Sequence, residues 1–249
     1  MLPMYDRPEI RGATDRFWGL IRDALRARGI AAPPALLRSA DDLMQVWLSP
    51  DLVLAQTCGL PYRARLKDAV TLVGTPDYAL PGCPLGHYRS VIVARGALPR
   101  DWRGLRLAIN DAGSQSGWAA LVAEWPDNIP ARVTVTGSHA ASLAAVAAGA
   151  ADLAALDVQS WRQLQRYAPA AAEVMVIAET EPTPGLPFIT RAGQDPTPVF
   201  AALQAAIATL AADDRAALDL AGLVMIPASA YLALPLPPAP PICAADLNR

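Results

Sequence analysis

Helix-like and strand-like patterns of hydrophobic and polar residues alternate along this chain. Over residues 14–28 the apolar side chains recur at helical spacing, with Phe17, Ile21 and Leu25 on one face and Gly29 after the last turn. Short continuous apolar runs, as expected for strands buried on both faces, separate the helical segments. Further predicted helices are 40–49 with Asp41 and Asp42 in its first turn, 117–125, 140–148, 160–167, 197–212 and 213–220. The predicted strands are 2–5, 52–56, 69–74, 88–94, 105–109, 132–136, 153–156, 174–178 and 188–190.

This alternation predicts an α/β fold built on parallel sheets. The chain is expected to cross between two lobes at about 93–96 and again at about 178–183. The first lobe is then discontinuous and comprises 1–94 and 182–249, whereas the second lobe is the continuous insert 95–181.

Composition narrows the function classes. With 249 residues, 53% of them hydrophobic and 18% charged, the chain can bury a sizeable core. The net charge of −2 argues against a broad nucleic-acid surface. No apolar run reaches transmembrane length, so direct membrane insertion is not expected. Residues 1–6 lack the residue order of a leader, so the location is periplasmic if a leader was removed and otherwise cytoplasmic.

The three cysteines give no sign of a metal or cofactor site, and we expect neither. Cys58 and Cys83 each have a glycine neighbour, and no C-x-x-C spacing or Cys/His cluster occurs. This pair can form a disulfide in an oxidising compartment or stay reduced in the cytoplasm. Cys243 follows the Pro-rich segment 234–241, which is expected to be extended on the surface.

The polar loop 110–117 lies between a predicted strand and a predicted helix. The first helical turn leaves backbone N–H groups without intrahelical acceptors, and the helix dipole favours negative charge there. Ser114, Gln115 and Ser116 add side-chain donors, and Gly117 lets an oxyanion approach closely. No Lys follows the second glycine, so the loop is not a P-loop. The pattern indicates oxyanion capture without nucleotide chemistry.

A second loop of this kind follows the predicted strand 132–136. Ser138 and His139 stand at the start of the next helix, and Asp157 ends the following strand. Carboxyl ends of neighbouring parallel strands meet at one edge, where open α/β sheets bind ligands. A neutral imidazole there can donate one N–H to an oxyanion. Structural roles stay open as well, since serines and Asp157 can cap helices and His139 can make a structural hydrogen bond.

Other candidates have weaker signals. Thr57 and Cys58 follow a predicted strand at its carboxyl end, which is a favourable position for ligand contact. Tyr5 and Tyr88 can line a binding cleft, although half-buried packing is the ordinary use of tyrosine. Arg89 can bind a phosphoryl group, but its position inside a predicted strand favours an internal ion pair.

Taken together, these motifs resemble a known family. G-S-Q-S-G-W at 113–118, the run from Thr136 to Asp157 and P-T-P-G-L-P at 182–187 are similar to the phosphonate/phosphate substrate-binding proteins of ABC importers. Q-T-C-G-L-P at 56–61 and P-G-C-P-L-G-H-Y-R-S-V-I-V at 81–93 are also similar to a branch of that family. The resemblance implies a type II periplasmic-binding fold with two α/β lobes, a two-strand hinge, an interlobe cleft and closure around ligand.

The resemblance also implies roles for particular residues. In the family a Ser-Thr-Ser loop binds the phosphonate oxygens, and Gln115 replaces the threonine of that loop here. His139 corresponds to a cleft histidine and Tyr5 to an early aromatic residue. An acid that holds the amine of aminoalkylphosphonates falls at or near Asp157, whereas Thr183-Pro184-Gly185 lacks the family's further acid.

We therefore predict a solute-binding protein, not an enzyme, that captures phosphate, phosphite or a phosphonate for an ABC importer. Its partners would be the small anionic ligand and an ABC permease. Two alternatives stay open: an enzyme on the same fold that acts on a small metabolite, and a cytoplasmic ligand sensor. The predicted ligand-binding residues are Tyr5, Thr57, Cys58, Tyr88, Ser114, Gln115, Ser116, Gly117, Ser138, His139 and Asp157.

Overall fold

The computed structural model describes residues 1–38, 40 and 42–242. Asp41, which was predicted to lie in a helix, and Cys243 are outside the described residues. The strands are, in chain order, β1 (Ala55–Gln56), β2 (Val70–Asp77), β3 (His87–Tyr88), β4 (Ser90–Ala94), β5 (Arg106–Ile109), β6 (Arg132–Val135), β7 (Leu153–Asp157), β8 (Met175–Glu179), β9 (Thr183–Pro184), β10 (Phe188–Arg191) and β11 (Gly222–Val224). The helices are α1 (Arg11–Arg26), α2 (Leu43–Trp47), α3 (Gly59–Pro61), α4 (Ala120–Glu124), α5 (His139–Ala147), α6 (Val158–Tyr167), α7 (Pro196–Thr209), α8 (Ala212–Leu218) and α9 (Ala228–Leu232). Two π-helices occupy Tyr62–Leu66 and Gln115–Ala119.

The chain divides into two compact units. The first unit is Met1–His87 with Pro184–Ala233, and the second is Tyr88–Thr183 with the described tail residues 234–242. The crossings therefore fall within β3 and β9, so that the first unit ends at His87 rather than at 94 and resumes at Pro184 rather than at 182.

The C-terminal tail belongs to the second unit, which corrects its predicted assignment to the first lobe. The indole Nε1 of Trp118 donates to the carbonyl oxygen of Pro238 at 2.7 Å. Ile242 forms an isolated parallel bridge with Val133. Both partners lie far away in sequence, so no local pattern could have placed the tail.

The first unit contains a four-stranded sheet in the order β1-β10-β2-β11, and each neighbouring pair is antiparallel. The prediction of a parallel sheet is wrong here. The predicted strand 2–5 is also wrong, because the chain bends at residues 4 and 5. The Met1 ammonium donates a hydrogen bond to the Leu54 carbonyl oxygen. Helices α1 and α7 pack together over this sheet. Their buried side chains include Phe17, Trp18, Ile21, Leu25, Val199, Leu203 and Ile207.

The second unit contains a five-stranded sheet in the order β6-β5-β7-β4-β8. β5 pairs in parallel with β6 and β7, whereas β4 runs antiparallel to β7 and β8. The parallel prediction thus holds for the three strands β5, β6 and β7. Their carboxyl ends share one edge, and antiparallel β4 begins at that edge with Ser90 opposite Asp157.

Several predicted segments change their bounds. The predicted strand 88–94 is divided at Arg89 into β3 and β4, and the predicted helix 40–49 shortens to α2 with Asp42 as its N-cap. α1 begins before its predicted start and ends before Gly29, which has a φ of +75°. Among the described residues, no helix has the length and apolarity that crossing a membrane requires.

Candidate functional site

The loop after β5 forms a tight, capped helix start. Ser114 is the N-cap, and its Oγ accepts a hydrogen bond from the Gly117 amide at 2.9 Å. The amides of Trp118 and Ala119 both donate to the Ser114 carbonyl oxygen, at 3.3 and 3.1 Å. The Ala119 bond spans five residues, so the helix predicted here begins with a π-turn. Such turns are rare and are frequent at functional sites.

Gly117 packs closely against the side chain of Asn110, the residue after β5. A Cβ at this position would lie 2.0 Å from Asn110 Oδ1 and 3.2 Å from Ser114 Oγ. The Asn110 oxygen is buried and has no hydrogen-bond partner within the described part of the chain. Sequence reasoning missed Asn110, because nothing local distinguishes it from an ordinary loop asparagine.

The loop after β6 repeats this arrangement at the neighbouring strand. Ser138 caps α5, and its Oγ accepts from the Ala141 amide at 3.1 Å. Thr136 Oγ1 lies 3.0 Å from the Ile109 carbonyl oxygen and thereby joins this loop to the end of β5. His139 is the first residue of α5. Helix capping by Ser114 and Ser138, which the sequence left open beside ligand binding, is observed for both.

The two loops meet through side chains. Ser116 Oγ and His139 Nε2 are 3.0 Å apart, and Ser114 Oγ lies 3.4 Å from Ser116 Oγ. Ser114, Gln115 and Ser116 are 5%, 3% and 3% exposed. With its proton on Nε2 the neutral imidazole donates to Ser116 Oγ and leaves the Ser116 proton free, whereas with its proton on Nδ1 it accepts from the Ser116 hydroxyl. The structure thus brings together three predicted site residues, Ser114, Ser116 and His139, from two separate loops.

His139 is held in its neutral form. Burial lowers the pKa of its imidazole to about 4, while a backbone hydrogen bond with Ala155 acts in the opposite direction. At neutral pH the ring therefore contributes a dipole and one donor, and it contributes no positive charge.

This pKa predicts a stability change with pH. Between about pH 6.5 and pH 4 the unfolded chain binds a proton at His139 and the folded chain does not, so the free energy of unfolding falls as the pH falls. We expect His139→Gln to remove this part of the slope, measured as urea midpoints at several pH values. His87→Gln is the matched control, because it leaves His139 and its slope in place. An identical slope in wild type and His139→Gln would contradict the assignment.

Asp157 lies on β7, which neighbours β5 in the five-stranded sheet, whereas Tyr88 lies on β3, which pairs with β9. Asp157 ends β7 and is 2% exposed, and its Oδ1 accepts from the Ser160 amide at 2.9 Å. This contact is the helix-capping role that the sequence also allowed. Tyr88 is buried on β3. Arg89 pairs with Glu179, which agrees with the ion pair favoured from sequence.

The remaining candidates belong to the first unit. Thr57 follows β1 and is fully buried, and its Oγ1 has no hydrogen-bond partner among the described residues. Cys58 is half-buried and is the N-cap residue of α3. Tyr5 packs edge-to-face on Tyr78, with ring centroids 5.1 Å apart. Cys58 and Cys83 are not joined by a disulfide. Within the described ranges, no group of three or more His, Cys, Asp or Glu residues can hold a metal ion.

The sequence model of the periplasmic substrate-binding proteins of phosphonate ABC transporters matches residues 52–229. The chain belongs to this family. The resemblance predicted from the sequence is therefore confirmed, and the family is one of substrate-binding transport proteins rather than enzymes. A search of curated proteins finds no match.

Solved structures support the fold of this phosphonate-binding family member. PhnD1 from Prochlorococcus marinus, in complex with methylphosphonate, is 16% identical, with a TM-score of 0.68 over 92% of this chain and 93% of that one. A binding-protein component of a phosphonate ABC transporter from Pseudomonas aeruginosa is 15% identical, with a TM-score of 0.69 over 93% and 81%. XAC2383 from Xanthomonas citri, bound to ATP, is 16% identical, with a TM-score of 0.70 over 94% of each chain. The chain has the type II periplasmic-binding fold.

Proposed function

We propose that this family member captures a small phosphorus oxyanion, namely phosphate, phosphite or a phosphonate, and delivers it to an ABC permease. The proposed centre of recognition is the segment Ser114–Gly117 together with Ser138 and His139. The observation that carries the proposal is the 3.0 Å contact between Ser116 Oγ and His139 Nε2, because it joins two capped helix starts at one sheet edge.

The chemistry of this centre suits an oxyanion. The hydroxyls of Ser114 and Ser116 and the amides of a first helical turn are all donors, and hydrogen bonds to a charged acceptor are shorter and stronger than neutral ones. Burial of the serines strengthens such bonds further, since fewer water molecules compete for them. The neutral His139 ring adds selectivity through geometry rather than through a fixed positive charge.

Further contacts are part of the proposal. Gln115 would donate an amide N–H in the place of a hydroxyl, and Asp157 would accept a hydrogen bond from a protonated oxygen or an amine of the ligand. Tyr88, on β3, is a further proposed ligand contact. On the first unit, Tyr5, Thr57 and Cys58 would contact the ligand, and the buried Thr57 hydroxyl that lacks a partner in the described structure is the strongest of these.

Calorimetric titration with methylphosphonate, phosphite, inorganic phosphate and sulfate tests the proposal. We expect saturable one-to-one binding of at least one phosphorus oxyanion and at least tenfold weaker binding of sulfate. The same ligand should raise the melting temperature in a concentration-dependent way. The proposal would be wrong if none of the phosphorus oxyanions bound, and turnover of the bound compound would favour an enzyme instead.

Transport follows from the family rather than from the geometry. We propose that the chain works in the periplasm with an ABC permease, as its family description implies. Uptake of the identified ligand by cells should depend both on this protein and on the permease. A cytoplasmic sensor would instead leave uptake unchanged when the protein is deleted.

A further inference from the structure

Ser90 has all of its polar groups committed to the edge that carries the proposed site. It is the first residue of β4 and is 1% exposed. Its Oγ donates to the carbonyl oxygen of Ser116 at 2.9 Å. Its amide donates to Thr180 Oγ1 at 3.0 Å, and its carbonyl oxygen accepts from the Thr180 amide at 3.0 Å.

These bonds fix Ser116 from two sides. Ser90 holds the backbone carbonyl of Ser116, and His139 contacts its hydroxyl. The Ser116 carbonyl lies inside the π-helix Gln115–Ala119, where the widened turn shifts carbonyls away from their regular α-helical partners. A side-chain hydroxyl that binds this carbonyl therefore fixes the direction of the whole turn.

Packing alone does not require a hydroxyl at this position. The strand reads Ser90-Val91-Ile92-Val93-Ala94, and every residue in it is buried. Alanine would keep this position small and apolar, but it would leave the Ser116 carbonyl without its hydroxyl donor. The hydroxyl is therefore explained by its acceptor, the Ser116 carbonyl, which belongs to the loop 114–117 that is proposed to bind the oxyanion.

We infer that Ser90 is a positioning residue, which together with Thr180 sets the orientation of the Ser114–Gly117 loop for oxyanion binding. Ser90 does not contact the ligand. It joins β4 of the five-stranded sheet to the loop, and Thr180, which follows the neighbouring strand β8, binds the Ser90 amide. The inference rests on the proposed function of this loop.

The test measures methylphosphonate and inorganic phosphate affinity by calorimetry for a set of variants. Ser90→Ala is expected to weaken binding about tenfold, and Ser90→Thr, which keeps the hydroxyl, should restore affinity to within about threefold. Hydrogen exchange of the Trp118 and Ala119 amides should speed up in Ser90→Ala and return to normal in Ser90→Thr, because both amides bind the Ser114 carbonyl.

Two controls separate the possible outcomes. Thr190→Val removes a hydroxyl that is buried in β10 of the first unit and donates to the Leu52 carbonyl, so it should bind as wild type. Ser114→Ala with Ser116→Ala tests the loop itself. If this double variant loses binding while Ser90→Ala binds as wild type, the positioning role is wrong and the proposed function stands. If the double variant also binds as wild type, the proposed function itself fails.

A further variant keeps the test decisive should Ser90→Ala not fold. Thr180→Val removes the hydroxyl that accepts from the Ser90 amide and leaves the loop serines in place. It is expected to weaken methylphosphonate binding about threefold to tenfold. Affinity equal to that of wild type in a folded Thr180→Val protein would overturn the positioning role.

Discussion

Replacing Ser114 and Ser116 together with Ala is expected to weaken binding of the phosphorus oxyanion by roughly 10²- to 10⁴-fold. Each hydroxyl would donate to a charged acceptor, and such a bond contributes about 1.5–3 kcal/mol. Loss of Ser116 also deprives His139 of the hydroxyl that lies 3.0 Å from its Nε2. Calorimetric titration of the ligand identified for the wild-type protein measures the effect.

The stability of this double variant should change far less than its affinity. Ser114 caps the helix start through the Gly117 amide, and loss of such a cap costs about 1 kcal/mol. Asp195→Ala is the matched control, because Asp195 caps α7 in the first unit through the Thr197 amide. That variant should lose similar stability and keep its affinity. Equal affinity in wild type and double variant would remove the loop from the binding site.

Replacing Gly185 with Ala is expected to lower the free energy of unfolding by about 2–3 kcal/mol, because the added Cβ meets backbone. It would lie 2.5 Å from the Gly86 carbonyl oxygen, the same oxygen that accepts from the Gly185 amide at 2.8 Å. The Gly185 carbonyl in turn accepts from the Tyr231 hydroxyl at 3.0 Å, and this hydroxyl lies 2.6 Å from Thr75 Oγ1. A shift of Gly185 therefore disturbs a buried network.

Chemical denaturation of Gly185→Ala against Gly222→Ala measures this effect. Gly222 lies in β11, and a Cβ there would meet nothing within 4 Å. The control should stay within about 1 kcal/mol of wild type, since only the glycine-to-alanine change in chain entropy remains. If both variants had the same stability, the close approach of the segments around Gly86 and Gly185 would not be present in solution.

The sequence predicted elements with strong local signals. α1 and α5 have regular apolar spacing or a capping serine, and each is followed by a glycine with positive φ. β11 and α9 went unnoticed because segments of three and five residues are too short to show a period. The antiparallel direction of the first sheet was missed because strand direction depends on the path of the chain, which apolar runs do not encode.

The residues of the candidate site also differ in whether a local sequence signal could predict them. The capping serines of both loops could be predicted, because a small polar residue before a helix is a local signal. The contact between Ser116 and His139 follows from the adjacency of β5 and β6, which the sequence suggested only through the alternation of strands and helices. Ser90 could not be predicted, since its role arises when antiparallel β4 begins beside the ends of β5 and β7.

The most direct test of the central claim is a crystal structure of the protein with methylphosphonate bound. The account predicts phosphonate oxygens within about 3 Å of the hydroxyls of Ser114 and Ser116, with His139 on the same oxyanion. A phosphonate bound elsewhere, with the Ser114–Gly117 segment and His139 making no contact to it, would contradict the account.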